Sequence, residues 1–443
     1  MAEPASGSSP RSFGLVVILL TLASTLSFID RQILAVMIGP VKRDLGGLSD
    51  TEISLIIGLA FTVVYSLATF PLARLVDRFN RRNLIAGCIF AWSLATAMAG
   101  FAQSFTQLFV ARMGVGIGEA GLGPASTSLV SDTYEAARLP LAFGIIATAP
   151  FIGTGLASLV GGPLIDYLET QPELVLPLFG PVFSWQAVLV FVGLPGIVLS
   201  VAMFTIREPA RSGPGGQAPF PLAEVARFCA SRARYLSLHF LAYFCLSLQG
   251  FALFTWIVEL FVRKHEWTRS EIGVSYGLIA IVFGVLGSVL SGFVAGRLVA
   301  LGRPDGPMRV CLWGTLGLAP LAVAMPLVGS GHLALALLVP ITFCMAMPTG
   351  LSISALQAIA PNRMRGQLVA IYLICVSFLS YLLAPLIIGV MNDHVFERES
   401  AVDLSMASLA VVNYGVACIA LALALGPLRA AVDRARAEFG EAE

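Results

Sequence analysis

The chain has 443 residues, 57% of them hydrophobic and 12% charged, with a mean hydropathy of +0.86 and a net charge of +1. Soluble domains carry about 25% charged residues, so this composition excludes a soluble globular protein. The near-zero net charge leaves no electrostatic footprint for nucleic acid.

Residues 1–12, MAEPASGSSPRS, read as a disordered tail. The first apolar run, Phe13 to Pro40, exceeds a signal-peptide core and has no small-residue cleavage site near its end, so it is expected to stay as a helix. It contains Asp30 and Arg31, although a charge at the centre of a membrane helix costs at least about 2.5–3.5 kcal/mol. Charges kept against that cost mark function. Further apolar runs follow at 49–72, 82–102, 106–131, 139–162 and 185–206, and the fourth, Thr106 to Ser131, carries Arg112 and Glu119. The Pro/Gly/Arg-rich stretch Arg207 to Tyr235 then breaks the pattern. Its second part suits an amphipathic surface helix, with Leu222, Val225 and Phe228 toward lipid and Arg227, Arg232 and Arg234 toward headgroups. A plain tether is the alternative. Six more runs occupy 236–262, 271–296, 309–328, 333–360, 366–391 and 405–428.

At about 20 residues per crossing, the expected fold is an all-α integral membrane protein. Twelve transmembrane helices form two pseudo-symmetric six-helix bundles, residues 13–206 and 236–428, joined by a linker at 207–235 and followed by a tail at 429–443. Nineteen of the 27 Lys and Arg fall in loops on the side of the N-terminus, and six on the other side. The positive-inside bias places both termini in the cytoplasm, with a bacterial inner membrane as the expected location.

The seven cysteines fall mostly inside apolar runs and form no C-x-x-C, so they read as small packing residues. The four histidines, His239, His265, His332 and His394, form no metal-spaced set, and neither H-E-x-x-H nor G-x-S-x-G occurs. No enzyme activity, metal or cofactor is expected. Gly116 to Gly121 spells G-x-G-x-x-G, but inside an apolar span with no preceding strand its glycines serve helix packing.

Two motif sets carry a family resemblance. After the second run, Ala73-Arg74-Leu75-Val76-Asp77-Arg78-Phe79-Asn80-Arg81-Arg82 resembles the cytoplasmic signature of the major facilitator superfamily, G-x-x-x-D-R-x-G-R-R. Asp77, Arg78, Arg81 and Arg82 match, while Ala73 and Asn80 replace the two glycines. A weaker echo, Gly292 to Arg297 with Gly302-Arg303, follows the eighth run. The resemblance implies a conformational latch in which Asp77 caps a neighbouring helix and Arg81 pairs with an acid at the inner end of the fourth helix, here Asp132. Arginines that only set topology are the plainer reading. Phe28-Ile29-Asp30-Arg31, Arg112-Met113-Gly114-Val115-Gly116-Ile117-Gly118-Glu119-Ala120 and Pro361-Asn362-Arg363-Met364-Arg365-Gly366 together resemble the Spinster group of that superfamily. That resemblance spans nearly the whole chain. It implies proton-linked or facilitated movement of sphingoid phosphates and lysolipids, although related sugar-acid and organic-anion carriers share an R-x-x-x-G-x-G-like fourth helix.

Helix geometry supplies an independent reading. At about 1.5 Å per residue, Asp30 lies about 15 Å below the outer end of the first helix, between Arg112 at about 9 Å and Glu119 at about 20 Å. Arg112 and Glu119 are close to two turns apart and share a face. Burial disfavours a carboxylate and a nearby guanidinium favours it, so an arriving anion that competes for the guanidinium couples occupancy to protonation. Asp30 and Glu119 are the candidate titrating carboxylates and Arg112 the anion contact. Arg31, about 100° round the helix from Asp30, is expected to brace the fold or pair with a neighbour and is a second candidate substrate contact. A static ion-pair network is the alternative.

The C-terminal half has no mid-span acid or arginine and offers His239, Gln249 and aromatic residues instead. Phe251, Phe254 and Tyr381 are the candidate contacts for an acyl or sphingoid chain. The combined expectation is a monomeric secondary transporter working by alternating access, partnered by protons, membrane lipids and an amphipathic anion. A small organic-anion, sugar-acid or drug carrier is the nearer alternative, and a passive channel or lipid scramblase the more distant one.

Overall fold

The structure, a computed structural model, describes residues 10–135, 138–171, 174–176, 180–211 and 220–440. Among them, eleven helices are long and apolar enough to cross a bilayer. With the interrupted fourth, they are numbered 1 to 12 in chain order. Helices 1 to 3 are Pro10–Val36, Asp50–Arg78 and Arg81–Ala99. Helix 4 breaks at Ala120-Gly121 into Phe105–Glu119 and Leu122–Thr133, so neither part alone has membrane length. Helices 5 and 6 are Leu141–Glu169 and Ser184–Thr205. Helices 7 to 12 are Ala233–His265, Arg269–Ala300, Gly306–Leu327, Gly331–Gln357, Arg363–Val395 and Glu399–Phe439. A small antiparallel ladder, Val175–Leu176 with Gly180–Pro181, lies between helices 5 and 6.

The solvent explains this economy of form. Hydrocarbon offers backbone groups no partners, so a spanning chain must satisfy them within each helix. Leu67, Phe70, Val198, Val412 and Ile419 stand exposed on the helices, which would be a liability in water and is the matching surface in lipid. Where helices emerge, short polar side chains take the first free N–H groups. Asn80 accepts from the Asn83 N–H at 2.9 Å, and Thr268 with Glu271 forms a reciprocal capping box at the start of helix 8.

Two compact units divide the chain, one comprising Met1–Leu48 and Leu55–Gly213, the other Ser49–Ser54 and Pro214–Glu443. In the first, small residues let helix 4 approach its neighbours closely: a Cβ added to Gly116 would lie 2.7 Å from the Phe61 carbonyl of helix 2, and one on Gly118 2.6 Å from the Trp92 nitrogen of helix 3. These contacts fix the depth and rotation of the helix that carries Arg112 and Glu119. In the second unit, the 33-residue helix 7 is the buried centre, packed against helices 11 and 12.

Helix 1 begins at Pro10, inside the segment expected as a tail, and residues 1–9 lie outside the described residues. In the linker, residues 212–219 lie outside them as well, and a helix runs over Leu222–Ser231. One expectation is corrected there. Val225 and Phe228 are buried within the second unit, leaving Leu222 as the exposed apolar residue, and Arg232 is buried with its guanidinium paired to Glu438 at 2.5 Å. The amphipathic pattern is real but its apolar side covers protein, because helices 11 and 12 offer it a surface: Gln367 Nε2 donates to the Phe220 carbonyl at 2.8 Å and the Arg363 guanidinium lies 4.8 Å from the Phe220 ring centroid.

Candidate functional site

Four charged residues from helices 1 and 4 meet in the first unit. Asp30, Arg112 and Glu119 are each no more than 3% exposed, and Arg31 is largely buried. Glu119 Oε2 accepts from Arg31 Nη2 at 2.6 Å, from Arg31 Nε at 2.8 Å and from the Ser27 hydroxyl at 2.6 Å. The Arg31 guanidinium also lies over three rings, with centroids at 5.0 Å for Phe28, 4.7 Å for Phe61 and 5.2 Å for Tyr65. Such cation–π contacts are well suited to a delocalised cation out of water.

Arg112 is held differently. Its Nη1 donates to the Asp30 backbone carbonyl at 3.0 Å and its guanidinium sits 5.6 Å from the Phe61 centroid. Its Nε and Nη2, however, are buried without a hydrogen-bond partner, as are Asp30 Oδ1 and Glu119 Oε1. Buried polar groups are nearly always satisfied. Asp30 lies within electrostatic reach of Glu119, Arg112 and Arg31. The constellation therefore presents two unsatisfied guanidinium nitrogens and two unsatisfied carboxylate oxygens in one buried site, chemistry suited to receiving an anion and a proton.

The expected latch residues gather at the other end of the same unit, with one substitution. Arg81, almost fully buried, pairs with Asp132 and, through Nε at 2.8 Å, with Glu208; its Nη1 also donates to the Ser128 hydroxyl at 3.1 Å and its Nη2 to the Pro209 carbonyl at 3.0 Å. Arg82 donates to the Ile206 carbonyl at 3.1 Å. Burial pushes the Glu208 carboxyl up, but hydrogen bonds from the Arg81 side chain and from the Arg82 and Arg81 backbone N–H groups outweigh it and hold the group below its ordinary value. Asp77, expected as the capping acid, is exposed at the end of helix 2 and forms no ion pair among the described residues. Arg211 instead hydrogen-bonds its backbone carbonyl and those of Val76 and Phe79, wrapping the C-terminus of helix 2. Arg78 is exposed beside it. Glu208 was missed by sequence reasoning, and its signal was an acid directly after helix 6 and four arginines from the signature.

In the second unit, Phe251 and Tyr381 meet edge-to-face at 5.1 Å, and Phe254 lies three residues along the same helix, half-buried. Asn413 Nδ2 donates to Gln249 Oε1 at 3.2 Å, both buried. His239 is fully buried, with Nδ1 3.1 Å from the Tyr235 hydroxyl and its ring 4.5 Å from that of Tyr243. The unit's strongest charge cluster was also missed. Asp50, fully buried, accepts from Arg263 at 2.7 and 3.0 Å and from Asn392 Nδ2 at 2.8 Å, while Arg263 pairs with Glu259 at 2.8 Å. The signal was an i, i+4 acid–arginine pair at the end of the seventh run.

A helical membrane bundle with a charged, partly unsatisfied core and an arginine-rich signature loop defines a transporter. The model of the Major Facilitator Superfamily matches residues 20–385, and the chain belongs to that family. An MFS-type efflux pump of Mycolicibacterium smegmatis is 28% identical over 412 residues, covering 93% of this chain and 91% of its own. A probable L-galactonate transporter of Escherichia coli is 25% identical over 402 residues, covering 85% and 82%. The crystal structure of a bacterial homolog to the human lysosomal transporter Spinster matches with a TM-score of 0.77 at 25% identity, covering 97% of this chain and 99% of that one. The protein is thus a multi-pass transporter of the superfamily, with Spinster-like relatives.

Proposed function

We propose that this protein is a proton-coupled secondary transporter that works by alternating access and moves an amphipathic anion of the sphingosine-phosphate or lysophospholipid type. The carrying observation is the half-used Arg112 guanidinium, buried with two unpartnered nitrogens beside carboxylate oxygens that are also unpartnered. A phosphate or carboxylate head supplies the two parallel acceptors that such a fork lacks. An anion drawing on Arg112 and Arg31 weakens the hold of Arg31 on Glu119, and protonation of Glu119 or Asp30 compensates the charge. Asp30 and Glu119 are the proton-coupling residues in this reading, and Phe251, Phe254 and Tyr381 the chain contacts. Arg81, Arg82, Asp132 and Glu208 form the latch, with Asp77 acting through the end of helix 2.

A second reading, a carrier of small sugar acids, is favoured by the likeness to a probable L-galactonate transporter. Purified protein in proteoliposomes decides between them. Labelled sphingosine phosphate, lysophospholipid and L-galactonate are offered with and without an imposed pH gradient. Gradient-dependent accumulation of the lipid-like anions supports the proposal, uptake of the sugar acid alone selects the second reading, and electrical conductance without saturation overturns both in favour of a channel.

A further inference from the structure

A cavity of about 940 Å³ opens within the second unit where helices 8 and 10 end, helices 9 and 11 begin and helix 12 runs on past them. Its lining includes Val299, Pro307, Ser354, Arg365, Arg436 and Phe439, and among the described residues no acidic side chain contributes. Successive spans alternate in direction, so the ends of 8, 10 and 12 and the starts of 9 and 11 lie on one side of the bilayer. It is the side that collects most of the arginines.

Those arginines are of two kinds. Around the cavity, Arg309 and Arg429 both pair with Asp305 at 2.8 Å, and Arg232 pairs with Glu438 at 2.5 Å. The two that line the cavity pair with no acid among the described residues: Arg436 makes no ion pair, and Arg365 donates its Nε to the carbonyls of Gln357 and Ala360 at 3.2 Å, which anchors the side chain and leaves both Nη groups free of an acidic partner there. The remaining wall is largely proline, alanine and valine, and of its larger apolar residues Val299 and Phe439 are about half exposed. A soluble anion has no use for that apolar wall. An anionic phospholipid uses both parts, its phosphate between two unneutralised guanidinium groups and its glycerol and first methylenes against the apolar wall.

We propose that this cavity is a binding site for the headgroup of an anionic phospholipid from the surrounding leaflet, separate from the charged site of the first unit. The test is native mass spectrometry of the purified full chain, exchanged against equimolar phosphatidylglycerol and phosphatidylcholine. The parent should retain phosphatidylglycerol selectively. Arg436→Gln and Arg365→Gln should each lower that preference about fivefold, the worth of one basic residue at a lipid surface, while Arg297→Gln at the end of helix 8 leaves it unchanged. Arg436 is exposed and braces nothing, so its variant folds even if the Arg365 one does not. Equal retention of both lipids by the parent overturns the proposal. So does an Arg297→Gln loss as large as that of Arg436→Gln, which means diffuse attraction, or displacement of the lipid by millimolar glycerol phosphate, which means a site for a soluble anion.

Discussion

The two units differ in where they keep unsatisfied charge, although the first also has a paired cluster at helix ends, Arg81 with Asp132 and Glu208. In the first, Asp30, Arg31, Arg112 and Glu119 sit deep within the bundle, and several of their polar atoms are unsatisfied. In the second, the buried charges lie at helix ends and are paired, as with Asp50, Arg263 and Glu259 or Asp305, Arg309 and Arg429, although Asp305 Oδ1 has no partner. Its interior is neutral, built from Gln249 with Asn413, His239 with Tyr235, and Phe251 with Tyr381. Breaking a fully paired buried bridge by removing one partner costs about 3–5 kcal/mol, because a charge is left without its counterpart. An unsatisfied group has less to lose and more to gain from a ligand. The comparison teaches that charge at the ends braces the fold and charge in the middle is kept for exchange.

The largest expected effect follows from the middle charges. Asp30→Asn and Glu119→Gln should abolish pH-driven accumulation, since each removes a titratable oxygen and keeps its shape. Asp30→Asn should leave folding nearly intact, while Glu119→Gln also weakens the buried bridge to Arg31 and should lower stability. Exchange of substrate at equal pH should survive. Uptake under a pH gradient reads the first effect and counterflow the second; accumulation as in the parent in both variants would make the constellation a static network. The latch does not supply this pH dependence. Glu208 has its folded value depressed, so its contribution to stability is complete above the ordinary carboxylate value near ~4.3 and is lost only as pH falls through the lower folded value. Between about pH 5 and 8 it is constant, so Glu208 gives transport no pH dependence there.

The end charges should show the next effect, on stability rather than transport. Asp50→Ala leaves Arg263 with Glu259 and the Glu399 carbonyl and should destabilise by about 3 kcal/mol. Thermal unfolding in detergent, followed by fluorescence-detected size exclusion, compares it with Asp30→Asn. Equal losses in the two variants would erase the distinction between bracing and exchange.

Arg112→Lys should raise the KM for anionic substrates about tenfold although the charge is kept, because lysine presents no planar fork and a hydrogen bond to a charged group is worth about 1.5–3 kcal/mol. Initial rates in proteoliposomes measure it. A lysine variant that equals the parent, beside an inactive Arg112→Ala, would reduce the site to a point charge.

Much of this division was legible in the sequence, for a physical reason. A charge inside a membrane-length apolar run stands out against its surroundings, which is how Asp30, Arg31, Arg112 and Glu119 were found. The pairing within that group was less legible. Rotation about helix 1 separates Arg31 from Asp30, yet whether the long Arg31 side chain reaches Glu119 depends on where helix 4 sits, and Gly116 and Gly118 set that through contacts with helices 2 and 3 that no single-helix reading shows. Asp50 and Glu208 were missed because both sit at the margins of apolar runs, where an acid looks like ordinary loop chemistry. Val225 and Phe228 followed the amphipathic period faithfully, but a period reports an apolar face and not whether lipid or protein covers it.

The smallest effect tests the neutral interior of the second unit. Phe251 and Tyr381 form an edge-to-face pair worth about 0.5–1.5 kcal/mol beyond their buried area, so truncating either opens space without stranding a charge. If that aromatic wall holds a substrate chain, affinity among ligands sharing one phosphate head should rise with chain length, by up to about 0.8 kcal/mol per fully buried CH₂, until the space is filled. Phe251→Ala, Phe254→Ala and Tyr381→Ala should then flatten this slope, weakening long-chain ligands several-fold and short ones hardly at all. Arg112→Ala should lower affinity for every length alike and leave the slope unchanged, because head and chain contribute separately when their contacts lie on different units. The measurement is a binding series in lipid, with each ligand referred to its concentration in the membrane so that partitioning does not imitate chain recognition. A flat slope in the parent, together with saturable uptake of L-galactonate, would make the aromatic pair simple packing and the protein a carrier of small acids.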